Sequence, residues 1–262
     1  VSQYQAILDH IPPALLVMFR IGGLMIYGPV FGAAVIPTRV KVFLALLVGL
    51  AVYPTLSASC LAGQRLTLEL WSVAPLVGLE LIIGLLIGYM ASLPLIAVQT
   101  GGLLMGQQMG LGFARFYNPG MDAQADIVGQ MLFFMALAGF LIIGGHEAMM
   151  LAVLRSFQYV PLGGLTMDGD VLTLLAGLLL AAFELALRVA APVLALVFLE
   201  SLAMGYMAKT VPQLNILSLG FPIRILAGFA MITLALVVMN DVIMDGIDVV
   251  LNEIFMWVEG GA

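Results

Sequence analysis

One cysteine, two histidines and very few charges narrow the chemistry before any motif is considered. With Cys60 alone, no disulfide can close within the chain, and a cysteine metal cluster or CxxC redox pair has no second thiol. His146 opens HEAMM, whereas a zinc protease needs HExxH to set two imidazoles one helical turn apart; position 150 is Met150. No phosphate cradle is complete either: GLGFAR lacks the third glycine of a dinucleotide fingerprint, and no GK[ST] follows it. Charged residues make up only 9% of the 262, and the net charge of −6 argues against nucleic acid as a partner. These absences leave no nucleophile–base pair, metal set or cofactor signature, so the expectation is a protein that is not an enzyme and has no cofactor.

What the chain has instead is apolar surface. Hydrophobic residues are 63% of the total and the mean hydropathy is +1.17, more than a soluble fold can bury. About 20 helical residues cross a hydrocarbon core, and six apolar segments are of that order: roughly 11–36, 42–58, 71–98, 127–154, 171–208 and 216–240. The first continues toward the second with no small-residue cleavage site, which reads as structure and not as a signal peptide. A seventh segment, 242–258, carries Asp245, Asp248 and Glu253 and reads as amphipathic or covered by a partner. Pro192 falls inside the fifth and predicts a kink or break there. Prolines punctuate the other segments too, and broken helices persist in a membrane only where protein or water satisfies the backbone. A six-span threading with the N-terminus outside puts Arg39, Lys41, Arg115, Lys209 and Arg224 in cytoplasmic loops against Arg65 and Arg155 outside.

Charges inside apolar runs are costly and therefore informative. Glu184 and Arg188 stand four apart with the acid first, the favourable helical order, and read as a buried, mutually neutralising pair. A charge pair facing a partner subunit and a proton or ion relay are the two roles open to it. Glu80 and Glu200 are lone carboxylates with the same ambiguity, while His146 and Glu147 read as a polar helix-end or interface contact. Glycines spaced by four at Gly28 and Gly32, and at Gly84 and Gly88, read as stripes along which helix backbones approach closely.

One stretch is too polar and too rich in glycine for lipid: MGQQMGLGFARFYNPG, Met105 to Gly120. Gly106, Gly110 and Gly112 give backbone freedom. Met105 and Met109 are soft, unbranched fillers that re-pack against varied surfaces, and Asn118 with Pro119 offers a turn. With Gln107, Gln108, Leu111, Phe113 and Arg115 they form a candidate deformable closure, a plug or gate loop. The competing reading is a packing stripe on an ordinary helix.

Five stretches in order, GPVFGAAVIPTRVKVFLAL, ELIIGLLIGY, GQQMGLGFARFYNP, GFLIIGGHEAMMLAVLRSFQYVPLG and PVLALVFLESLAMGYMAKTVPQLNILSLGFPIRI, resemble the FliR family of type III secretion export-gate proteins, called SctT in injectisomes. The resemblance covers nearly the whole chain. It implies an all-α integral membrane protein of kinked helical hairpins, a single domain over 1–262 with a FliP-like unit to about 170 and a FliQ-like hairpin from about 171 to 262. It also implies a non-enzymatic subunit that completes a channel for unfolded secreted substrates. The implied surroundings are FliP-like and FliQ-like subunits, other export-apparatus subunits and membrane lipid. The implied place is the bacterial inner membrane at the flagellar basal body, with part projecting toward the periplasm. On the same analogy Gly106 to Gly120 is the loop that plugs the closed pore. The alternative of another class is a secondary transporter with broken helices and an intramembrane carboxylate relay, whose paired interrupted segments in corresponding halves find no counterpart here.

Overall fold

A computed structural model describes residues 2–56, 70–113, 126–164, 169–210 and 216–260, and among these there are helices and turns but no strand. Seven α-helices follow in chain order: α1 (Ser2–Tyr27), α2 (Thr38–Val52), α3 (Leu70–Gln108), α4 (Ile127–Ile142), α5 (Gly145–Tyr159), α6 (Gly169–Thr210) and α7 (Ile216–Gly260). By length and composition five of them, or six spans if α4 and α5 count as one bent pair, can cross a membrane.

The helix boundaries follow local chemistry. Pro37, with φ −58° and ψ 140°, is extended and hands the chain to α2. Gly144 adopts φ +76° between α4 and α5, a left-handed turn that glycine makes without a Cβ clash, and the two helices meet there at a 62° bend. The fourth apolar run, expected as one piece, is therefore two. The opposite correction applies at the end of the chain: the sixth and seventh runs are one helix of 45 residues, α7, with no interruption near Val242. Its hydrophobic side explains why. Ile232, Met239, Ile243, Ile247, Val250, Ile254 and Val258 are buried at spacings of three, four and seven, while Asp245 and Asp248 point outward. Pro192 also fails to end its helix, since α6 runs through it. One lost backbone bond is tolerated where neighbouring protein packs against the helix.

Compact packing divides the chain into two units, discontinuous in sequence. The first comprises 1–93, 140–178 and 248–262; the second comprises 94–139 and 179–247. In the first unit α1 and α3 cross backbone to backbone. A methyl on Gly84 would collide with the Arg20 carbonyl oxygen, one on Gly23 with the Leu81 carbonyl oxygen, and one on Gly88 would lie 2.8 Å from the Gly28 nitrogen. Gly84 and Gly88 are the packing stripe that their spacing predicts. Gly28 and Gly32 are not, because α1 stops at Tyr27 and both sit in the turn that follows. In the second unit Gly102 meets the Gly129 backbone of α4, and a methyl on Gly101 would lie 2.7 Å from the Ala186 carbonyl oxygen of α6. Beside that crossing, α6 and α7 run antiparallel, pairing Glu200 with Arg224, Met204 with Gly220 and Leu185 with Gly246.

Candidate functional site

The glycine–methionine stretch lies where α3 ends. Met105, Gly106, Gln107 and Gln108 are its last turn; the Met109 amide donates to the Met105 carbonyl at 2.9 Å and the Gly110 amide to the Gln107 carbonyl at 3.1 Å. Gly110 then takes φ +86°, which ends the helix, and Leu111, Gly112 and Phe113 form a short 3-10 turn. The side chains divide sharply. Met105 and Met109 are fully buried, and the Met109 side chain packs against Gly228 of α7, whereas Gln107 and Gln108 are exposed. Gly106 has room for a methyl, with nothing nearer than 3.8 Å, so packing does not demand glycine there. The first half of the stretch is thus helix with its methionines in the core, not loop. Arg115, Asn118 and Pro119 lie outside the described residues.

The first unit holds a polar site that the spacing of residues along the chain does not show. Arg20 of α1 and Glu80 of α3 are both wholly buried, with Arg20 Nε 2.5 Å from Glu80 Oε2. Nη1 of Arg20 donates to Ser156 Oγ at 3.0 Å, and both Nη1 and Nη2 donate to the Val160 carbonyl at 3.2 Å. The guanidinium lies 4.3 Å over the Phe157 ring. Glu80 Oε1 accepts the Gly163 amide at 2.7 Å. Ser156 Oγ donates onward to the Val153 carbonyl, which orients its lone pairs toward the arginine. Three distant parts of the chain are thereby held at one point: α1, α3 and the C-terminal end of α5 with its following turn. Burying an ion costs several kcal/mol unless its remaining bonds are made. Here almost every donor and acceptor is used.

Glu80 is therefore not a lone carboxylate, and neither is Glu200. Arg224 donates from Nε to Glu200 Oε2 at 2.8 Å and from Nη2 to Ser201 Oγ at 2.8 Å, tying α7 to α6. Arg224 is inside α7, not in the loop where a six-span threading puts it. The other oxygen of Glu200, Oε1, is buried with no hydrogen-bond partner among the described residues. Arg20 and Arg224 are the residues that reading along the chain misses. The available signal was the pairing of opposite lone charges between different apolar runs.

Glu184 and Arg188 do pair, Nη2 to Oε1 at 2.5 Å, yet their side chains are 58% and 65% exposed. The described residues do not supply the expected burial. The pair shares its face of α6 with Leu180, Phe183 and Leu187, all exposed and apolar. His146 and Glu147 occupy the first turn of α5, 4.0 Å apart, as expected of a helix-end contact.

Comparison with known proteins adds an independent line. The family described as bacterial export proteins, family 1, matches residues 11–249. The flagellar biosynthetic protein FliR of Bacillus subtilis (strain 168) is 30% identical over 245 residues, 91% of each chain. The FliR of Escherichia coli (strain K12) is 27% identical across 82% of this chain and 80% of its own. The Yop proteins translocation protein T of Yersinia pestis is 25% identical across 67% and 66%.

Proposed function

Since the chain belongs to the FliR family of bacterial export proteins, a subunit of a type III export apparatus in a membrane, we propose that it completes the channel through which unfolded substrates cross the bacterial inner membrane. In this reading it is a non-enzymatic part of the flagellar basal body, assembled with FliP-like and FliQ-like subunits. The observation that carries it is the family match, which runs from the first apolar helix almost to the end of the last. The bare apolar faces agree with it. α2 is buried over only 11% of its span and α7 over 17%, and the exposed Glu184–Arg188 pair lies on one such face. Charges there are costly against lipid and far less so against a polar group of a neighbouring subunit.

The stretch from Met105 to Pro119 serves as the plug. A channel wide enough for an unfolded chain leaks when idle, so a closure must yield to substrate and reseal. In support, α3 ends at Gln108 and Gly110 turns the chain, while Gln107 and Gln108 face outward. Because Met105 and Met109 are core residues, a deletion that removed them would disturb packing as well as the plug. Deleting 113–119 spares both methionines and tests the assignment: complexes should form at wild-type yield while cells become permeable to small solutes, read as growth inhibition. Normal complexes that stay tight to solutes refute the plug. Failure of this chain to co-purify with other export subunits from native membranes refutes the channel role.

A further inference from the structure

The basic side chains divide into two groups. Of the seven in the described residues, Arg20, Arg155, Arg188 and Arg224 are each ion-paired with a glutamate. Among the described residues Arg39, Lys41 and Lys209 have no carboxylate within ion-pair distance, and the first two share the opening turn of α2. Lys41 spends one of its three donors on the Gly32 carbonyl at 2.8 Å, leaving two. Lys41, but not Arg39, borders an apolar groove of about 340 Å³, lined by Met18, Gly22 and Met25 of α1, by Ala45 and Leu46 of α2, and by Leu81 of α3. A second hollow, lined by Arg39 and Phe43, adjoins it across Val42. Gly22 leaves the α1 side of the groove open: a methyl there would touch only the Ala45 Cβ, at 3.9 Å.

We propose that this groove is a binding site for one anionic phospholipid, with its phosphate between Arg39 and Lys41 and an acyl chain lying along Gly22, Ala45 and Leu46. Two cations without a carboxylate partner among the described residues, Lys41 bordering the groove and Arg39 the adjoining hollow, lie beside Thr38 and Val42 at the opening of α2, and with the apolar lining they match the amphiphile's own division into charged head and hydrocarbon tail. A partner protein helix would fill the trough but leave both cations uncompensated unless it brought its own acids to that level. A zwitterionic lipid offers the tail without the net charge. The lipid therefore fills the groove that Gly22, Lys41 and Ala45 line between α1 and α2.

The test uses the full chain purified in mild detergent, with phosphatidylglycerol and phosphatidylcholine added separately and bound lipid counted by native mass spectrometry. One phosphatidylglycerol should survive detergent exchange, and phosphatidylcholine should not. Arg39→Gln with Lys41→Gln should weaken retention by roughly thirty-fold, the effect of two surface cations on an anionic lipid. Gly22→Leu should expel the lipid by filling the groove, with helix content unchanged by circular dichroism. Equal retention of both lipids, or retention indifferent to all three substitutions, overturns the proposal. A photocrosslinking residue at Val42, used in cells with the apparatus assembled, does not depend on any variant folding: a lipid-mass adduct supports the site, and a protein-mass adduct overturns it.

Discussion

Replacing Arg20 by Met is the sharpest probe of the first unit. The substitution removes the ion pair to Glu80, the bond to Ser156 and both bonds to Val160, in a place where neither charged side chain has any exposure. Glu80 is left as a buried carboxylate holding only the Gly163 amide. Breaking a buried pair from one side costs about 3–5 kcal/mol, a large part of the roughly 5–15 kcal/mol that separates most folded domains from unfolding. Glu80→Gln should cost somewhat less, because the amide oxygen can still accept from Gly163. Making both changes removes the uncompensated charges together, so the double variant should be more stable than the sum of the single losses implies, by about 1–3 kcal/mol. Thermal unfolding followed by circular dichroism in mild detergent, with protease challenge as a second readout, gives all four corners of the cycle. Additive losses, or an Arg20→Met protein that melts with wild type, would show that the network is not what holds α1, α3 and α5 together.

Glu184→Ala and Arg188→Ala, in contrast, should change the stability of the chain alone by less than about 0.5 kcal/mol, since an exposed pair four apart on a helix contributes little. Their effect should appear only in the yield of the assembled complex, and a melting shift as large as that of Arg20→Met would contradict the observed exposure. Gly84→Ala should prevent accumulation of protease-resistant protein, because the added methyl meets the backbone of α1 and not a side chain that can move aside. Gly106→Ala, where nothing lies nearer than 3.8 Å, should be tolerated, and immunoblots of membranes from cells expressing each variant separate the two.

How far the sequence carries the reader depends on which dimension the information lies in. Apolar length alone indicates an all-α membrane protein, and the described residues are helices and turns with five spans by themselves. Spacing along one helix gives Gly84 with Gly88 and Glu184 with Arg188, since neighbours three or four apart share a face wherever the helix lies. Which face is covered is a different matter: residues 178–183 and 185–187 around Glu184 are all apolar, so only the packing of α6 reveals that the pair points outward. The Arg20–Glu80 contact joins residues 60 apart, and no local period encodes it. Helix ends were similarly ambiguous. Gly144 breaks a run that hydropathy joins, and no residue near Val242 breaks one that its acidic side chains had made look separate.

The separation of the Arg20 network along the chain also sets an order of events during synthesis. Arg20 is made 60 residues before Glu80 and 140 before Val160. At roughly 5–20 residues per second the ribosome takes about 3–12 s to reach the carboxylate, and longer again to reach the carbonyl. Throughout that interval α1 carries an unneutralised guanidinium midway along an apolar helix, and leaving it in hydrocarbon is unfavourable by at least about 2.5 kcal/mol. That cost favours a first helix held at the membrane surface or against the insertion machinery until the third arrives, although its span is apolar enough by itself to cross with the arginine included.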